Sequence, residues 1–138
     1  MAGASYLADT SVYVLQARHP QVQRRFAALL AEGRLAACQM TTLEYLNNAP
    51  PKGYEVLWGA LHAQRWMHVT AAAMNRALAV HRLLAATSQH RHCRLPDLII
   101  AATAELNGAT VLHYDADYDR IAEATGQPTD WVAERGSL

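Results

Sequence analysis

Short apolar runs alternate along the chain with longer stretches in which apolar residues return every three or four positions, a pattern that predicts strands interleaved with helices. "SYLAD" reads as a buried strand closing at Asp9, and "TSVYVLQA" begins a helix with Thr10 or Ser11 near its cap. In "HPQVQRRFAALLAEG", Pro20 suits a first turn, Phe26, Leu29 and Leu30 form an apolar face, and Gly33 suits the stop. "RLAAC" reads as the second strand. "TTLEYLNNA" starts a third helix, which the paired prolines of "PPKG" end. "YEVLWGALHAQR" has helical spacing, "MHVT" reads as a short strand, and a helix runs from Ala72 to about Ser88 with Met74, Ala77, Leu78 and His81 on one side. After the polar loop "SQHRHCR", Pro96 and Asp97 open a strongly apolar helix that Asn107 and Gly108 close. "TVLHY" is a strand, "ADYDRIAEAT" a short helix and "PTDWV" a last edge strand.

Strand–helix alternation favours a mostly parallel sheet covered by helices on both faces, in which ligands sit beyond the carboxyl ends of the strands. The 138 residues fit one domain, residues 1–138, with no internal repeat or low-complexity tract. Hydrophobic residues make up 51% and charged ones 17%, which excludes a disordered chain. The 12 basic and 12 acidic residues cancel, so overall charge gives no argument for nucleic-acid binding and only local clusters can. The distant pair Cys38 and Cys93 makes no disulfide framework and fits a reducing compartment. No basic segment precedes the apolar start, and the longest stretch without a charged residue runs only from Trp66 to Asn75, against the roughly 20 residues a membrane helix needs. A cytoplasmic protein with no membrane partner is expected.

The chemistry lies in the carboxylates. Asp9 and Asp115 each follow a strand, Asp97 and Asp117 open helices, and Glu44 lies near the start of the helix after the second strand. All five project from one rim if the alternating reading holds. Each also has a local explanation. Asp9 can help start a helix, Thr41 and Glu44 can form a capping box, Asp97 suits a helix dipole, and Asp115 and Asp117 suit a turn and cap. Asp119 reads as a solvated surface charge. Independent caps, however, need not converge on one edge of one sheet. Converging carboxylates would raise one another's pKa, and a hard divalent cation removes that conflict; oxygen-only ligands favour Mg²⁺ or Mn²⁺ over Zn²⁺.

Rival motifs fail. "DADYD" begins like an EF-hand, but that loop needs glycine where Arg120 stands and glutamate where Gly126 stands. "HRHC" has no usual zinc spacing, and His81 reads as a core histidine. Trp58, Trp66 and Trp131 read as packing or subunit contacts rather than a base-stacking platform. There is no phosphate-cradling glycine loop and no nucleophile elbow.

Taken in order, "YLADTSV", "TTLEYL", "LPDLIIAATA" and "VLHYDADYDRIA" resemble the PIN-domain ribonucleases, in particular the VapC toxins of type II toxin–antitoxin pairs. The resemblance runs from Ser5 to about Val132. It implies a three-layer α/β/α sandwich, usually dimeric, that binds Mg²⁺ or Mn²⁺ and cleaves RNA, and a VapB-type antitoxin whose C-terminal segment lies across the active site. The family's acidic positions fall on Asp9, Glu44, Asp97, Asp115 and Asp117, and its polar position on Thr10 and Ser11. Asp9, Asp97 and Asp115 would hold the metal, Asp117 would complete the shell or hold a second ion, and Glu44 would orient or deprotonate water. The family points to a transfer RNA or a ribosomal RNA loop as substrate.

An acidic pocket must still attract a polyanion, and Arg24, Arg25, Arg91 and Arg94 are the candidates for RNA backbone contacts, against the alternative of solvated surface charge. Two other readings stay open: an antitoxin- or RNA-binding PIN module without turnover, and a metal-dependent DNA nuclease. The intact acidic set argues against the first. Small size and the lack of extra helical insertions argue against the second.

Overall fold

Successive residues of a strand point to opposite faces, and the buried strand residues here divide accordingly between two cores. Leu7, Ala36 and Val111 pack with Ala77, Val80, Leu98 and Tyr118 on one side, while Ala8, Leu35 and Leu112 pack with Val12, Val22, Leu46 and Leu61 on the other. The structure, a computed structural model, describes residues 4–138. In chain order the elements are β1 (Tyr6–Ala8), α1 (Thr10–Gln16), α2 (Pro20–Ala31), β2 (Leu35–Ala37), α3 (Gln39–Asn47), α4 (Tyr54–His62), β3 (Arg65–Trp66), α5 (Ala71–Ala85), α6 (Leu95–Leu106), β4 (Thr110–His113), α7 (Asp117–Thr125) and β5 (Thr129–Trp131). Helices α1 to α4 supply the second core and α5 to α7 the first, giving a three-layer α/β/α sandwich.

The sheet is parallel throughout, in the order β3-β2-β1-β4-β5. The chain winds outward from β1 to β3, then returns to place β4 on the other side of β1. The crevice beyond β1 and β4 is therefore where the winding reverses, the usual place for a site in an open parallel sheet. A hydrogen bond from the Asp9 amide to the Leu112 carbonyl, 2.8 Å, locks the two strand ends together there.

Several element boundaries differ from expectation for local reasons. Helix α1 is capped by Asp9 itself, whose carboxylate accepts from the Ser11 amide, rather than by Thr10 or Ser11. Helix α3 starts at Gln39, and Thr41 is its third residue. The Thr41 hydroxyl reaches back to the Cys38 amide, 3.1 Å, so the capping box with Thr41 as cap and Glu44 as its partner does not form and Glu44 is left for other contacts. The edge strand expected at "MHVT" lies two residues earlier, because Arg65 and Trp66 pair with Ala36 and Ala37. His81 is half-buried, not a core residue; it lines an apolar groove of about 240 Å³ with Met74, Leu78, Leu95 and Ile99.

Candidate active site at the carboxyl edge of the sheet

Strand β1 delivers Asp9 to the rim with extended backbone, and its carboxylate works twice. Oδ2 accepts from the Ser11 amide and hydroxyl at 3.1 and 2.7 Å, which caps α1, while Oδ1 accepts from the Tyr118 hydroxyl at 2.7 Å. The capping and site readings of Asp9 are thus the same geometry.

Asp97 enters from the first turn of α6, behind Leu95 and Pro96, and is only 2% exposed. Its Oδ1 accepts a longer bond from Tyr118, 3.3 Å, and its Oδ2 is buried with no hydrogen-bond partner. Burial first, and then the neighbouring Asp9 carboxylate, push its pKa up to about 7, with Arg94 opposing the rise. A buried carboxylate oxygen without a partner is costly, and a cation is the partner its chemistry calls for.

Glu44 faces the same space from the second turn of α3. Its Oε1 accepts from the Thr10 hydroxyl at 2.9 Å and its Oε2 pairs with Arg94 at 2.6 Å. Asp115, two residues beyond β4, accepts from the Asp117 amide at 2.9 Å and donates its own amide to His113 Nδ1 at 3.1 Å. Asp117 pairs with Arg120 at 2.6 Å; burial and Asp115 raise its pKa.

Folding thus brings all five predicted carboxylates to one rim, in two overlapping groups that share Asp97. Asp9, Glu44 and Asp97 each offer an oxygen within 4.8 Å of the others, and so do Asp97, Asp115 and Asp117. Either group could hold a metal ion. An open groove of about 530 Å³ is lined by Asp9, Glu44 and Asp115 together with Thr10, Ser11, Asn47 and Arg94. Asp119 stays outside, bonded to Trp131 and near Arg135. Among the described residues, the groups of three or more that could hold a metal ion are these two acidic ones.

The four arginines separate. Arg94 stands at the groove, while Arg24 and Arg91 are exposed away from its lining. Arg25 is used by the fold: it donates to the Trp131 and Val132 carbonyls at 2.8 and 3.2 Å and pairs with Asp130 at 2.6 Å, tying α2 to the last strand. Arg25→Ala is expected to cost about 1 kcal/mol, a modest value because the pair is partly solvated. A lower urea midpoint with unchanged RNA affinity would check this; weaker RNA binding at unchanged stability would return Arg25 to the RNA-contact set.

Two residues absent from the sequence reading belong to the site. Tyr118 and His113 are fully buried beneath the carboxylates, rings 4.8 Å apart. Tyr118 lies three residues before buried Ile121, a spacing that marks it as inward-facing but not as a carboxylate partner. Trp131 packs on His113, whereas Trp58 and Trp66 join Tyr54 and His62 in a stacked row on which Trp58 is 46% exposed.

The family model for the PIN domain matches residues 6–124 of this three-layer parallel sandwich. "Ribonuclease VapC18" of Mycobacterium tuberculosis is 41% identical over 136 residues, covering 96% of this chain and 98% of its own. "Ribonuclease VapC51" of the same organism is 43% identical over 134 residues, covering 96% of each chain. The chain belongs to the PIN-domain family, among its VapC members. Its fold is also that of the solved DNA-bound VapBC from Salmonella typhimurium, at 16% identity with a TM-score of 0.76, covering 95% of this chain and 100% of that one.

Proposed function

We propose that the chain is the toxin of a type II toxin–antitoxin pair, an endoribonuclease dependent on Mg²⁺ or Mn²⁺. The observation that carries this reading is the buried Asp97, whose Oδ2 has no hydrogen-bond partner and whose carboxylate is common to two acidic groups, one with Asp9 and Glu44 and the other with Asp115 and Asp117. The donors are all carboxylate oxygens, which hard cations prefer. The names of the relatives supply the substrate class, and the VapBC complexes among its structural neighbours supply the partner, a VapB-type antitoxin. We take the protein as a cytoplasmic homodimer; no described helix is long and apolar enough to cross a membrane.

Asp97 would hold the cation as the ligand common to both groups, with Asp9 beside it in one and Asp115 and Asp117 in the other. A bound divalent cation supplies a water of lowered pKa and offsets charge on the phosphate. The chain's own residues do the rest. Glu44, steadied by Thr10, is placed to orient the attacking water and accept its proton. Arg94 holds Glu44 in the groove wall and offers its remaining donors to the RNA backbone. Arg24 and Arg91 would add weaker, salt-screened attraction at a distance from the cut.

The experiment is direct. Protein freed of antitoxin is incubated with cellular RNA and, separately, with DNA, in Mg²⁺ or Mn²⁺ and then with chelator. Discrete RNA fragments that disappear with chelator and in Asp9→Asn are expected. Binding of RNA without any fragments would favour a module without turnover, and cleavage of DNA instead of RNA would favour a DNA nuclease.

A further inference from the structure

Beneath the carboxylate cup lies a buried pair of rings that the reaction as described does not use. Tyr118 is 0% exposed, yet its hydroxyl points up between two carboxylates, 2.7 Å from Asp9 Oδ1 and 3.3 Å from Asp97 Oδ1. Its ring rests on His113, also 0% exposed, at a tilt of 32°. His113 in turn accepts the Asp115 amide proton at Nδ1, 3.1 Å, and its Nε2 is buried without a partner. The hydroxyl therefore reaches two carboxylates and the imidazole the backbone of a third acidic residue, and the three arrive from separate elements: the end of β1, the start of α6 and the loop after β4.

We propose that Tyr118, seated on His113, is the positioning residue of the cup. Its single O–H faces two carboxyl groups and holds them facing one another before any cation is bound. The bond engages Oδ1 of Asp97 and leaves Oδ2 of the same carboxylate without a protein donor. His113 fixes the other side by holding the backbone of Asp115, and the ring contact transmits the placement between the two. A phenylalanine at 118 would keep the packing and lose the hydroxyl. Partners of this kind, which orient ligands without touching the ion, typically alter metal affinity by about 10–100-fold.

The inference rests on the reading of the cup as a cation site, and the test separates the two. Mn²⁺ binding is measured by calorimetry on wild type, Tyr118→Phe, His113→Phe and Val111→Ala, the last a truncation on the same strand that lowers stability without touching the carboxylates. If wild type binds no Mn²⁺, the cation reading itself fails. If it binds, Tyr118→Phe is expected to weaken the affinity about tenfold, His113→Phe to weaken it less, and Val111→Ala to leave it unchanged while lowering Tm. Wild-type affinity in Tyr118→Phe would overturn the proposal, as would an equal loss in Val111→Ala. Should Tyr118→Phe fail to fold, the wild-type chain carrying ¹³C-labelled tyrosine rings answers the question. The Tyr118 signal is expected to shift on addition of Mg²⁺, and an unmoved signal would overturn the proposal.

Discussion

Asp97→Asn is expected to abolish RNA cleavage and, at pH 8 without metal, to make the protein more stable. Both effects come from one group. Asp97 is 2% exposed, one of its oxygens has no partner, and burial with Asp9 beside it raises its pKa from 3.8 to about 7. Because the folded pKa lies above the unfolded one, the folded state holds this proton more tightly than the unfolded chain does. Its penalty is absent below pH 4, grows as pH rises through the window from 3.8 to about 7, and is complete above it. At about 1.4 kcal/mol per pKa unit, the burden at pH 8 is up to about 4 kcal/mol, and asparagine of nearly the same shape removes it. A rise of several degrees in the melting temperature of the metal-free protein is expected, together with loss of the stabilisation that added Mn²⁺ gives wild type. Cleavage should fall by on the order of 10²–10³, the scale seen when preorganised charge stabilisation is removed from an active site. A variant less stable than wild type at pH 8, or one that still cuts RNA, would contradict the placement of Asp97.

The second large effect is on pH. On the proposed reading a cation binds the ionised Asp97 carboxylate, whose pKa burial and Asp9 raise to about 7, so a proton competes for the site below that pH. Mn²⁺ affinity should therefore climb about tenfold per pH unit from pH 5.5 to 7 and then flatten, as expected when one proton is displaced on binding. Calorimetry in buffers of different ionisation enthalpy reads that proton directly: close to one released at pH 6 and close to none above pH 8. Asp117, whose pKa is also raised by burial and by Asp115, steepens the low-pH limb without moving the break near 7. Affinity that does not change across this window would mean that Asp97 is ionised throughout, or that it does not touch the ion.

The stability gain and the activity loss in Asp97→Asn have the same origin. The fold places a carboxylate where water cannot reach one of its oxygens and gives it no internal hydrogen bond; on the proposed reading a bound cation relieves that cost. Asp9 shows the opposite arrangement. Ser11 and Tyr118 satisfy its oxygens, so its carboxylate serves the helix cap whether or not an ion is bound. A local reading of Asp9 as a cap was therefore correct but incomplete.

Periodicity in the sequence determined the alternation of strands and helices, because burial on both sheet faces demands near-continuous apolar strands and one-sided helices. It marked Asp9, Asp97, Asp115 and Asp117 by their places at element ends, where a carboxylate is either a cap or a ligand, and Glu44 by a helix start that the structure moves back to Gln39. Where short-range chemistry had two solutions it misled: the Thr41 hydroxyl made the capping bond that Glu44 was expected to make, and the edge strand followed its pairing with β2 rather than its own apolar run. Only the tertiary structure decided that Arg25 serves the fold, that the lone oxygen of Asp97 is left open, and that Tyr118 and His113 lie under the cup. Those facts depend on contacts between residues 21 to 109 positions apart, and local spacing carries no information about which side chain arrives from across the sheet.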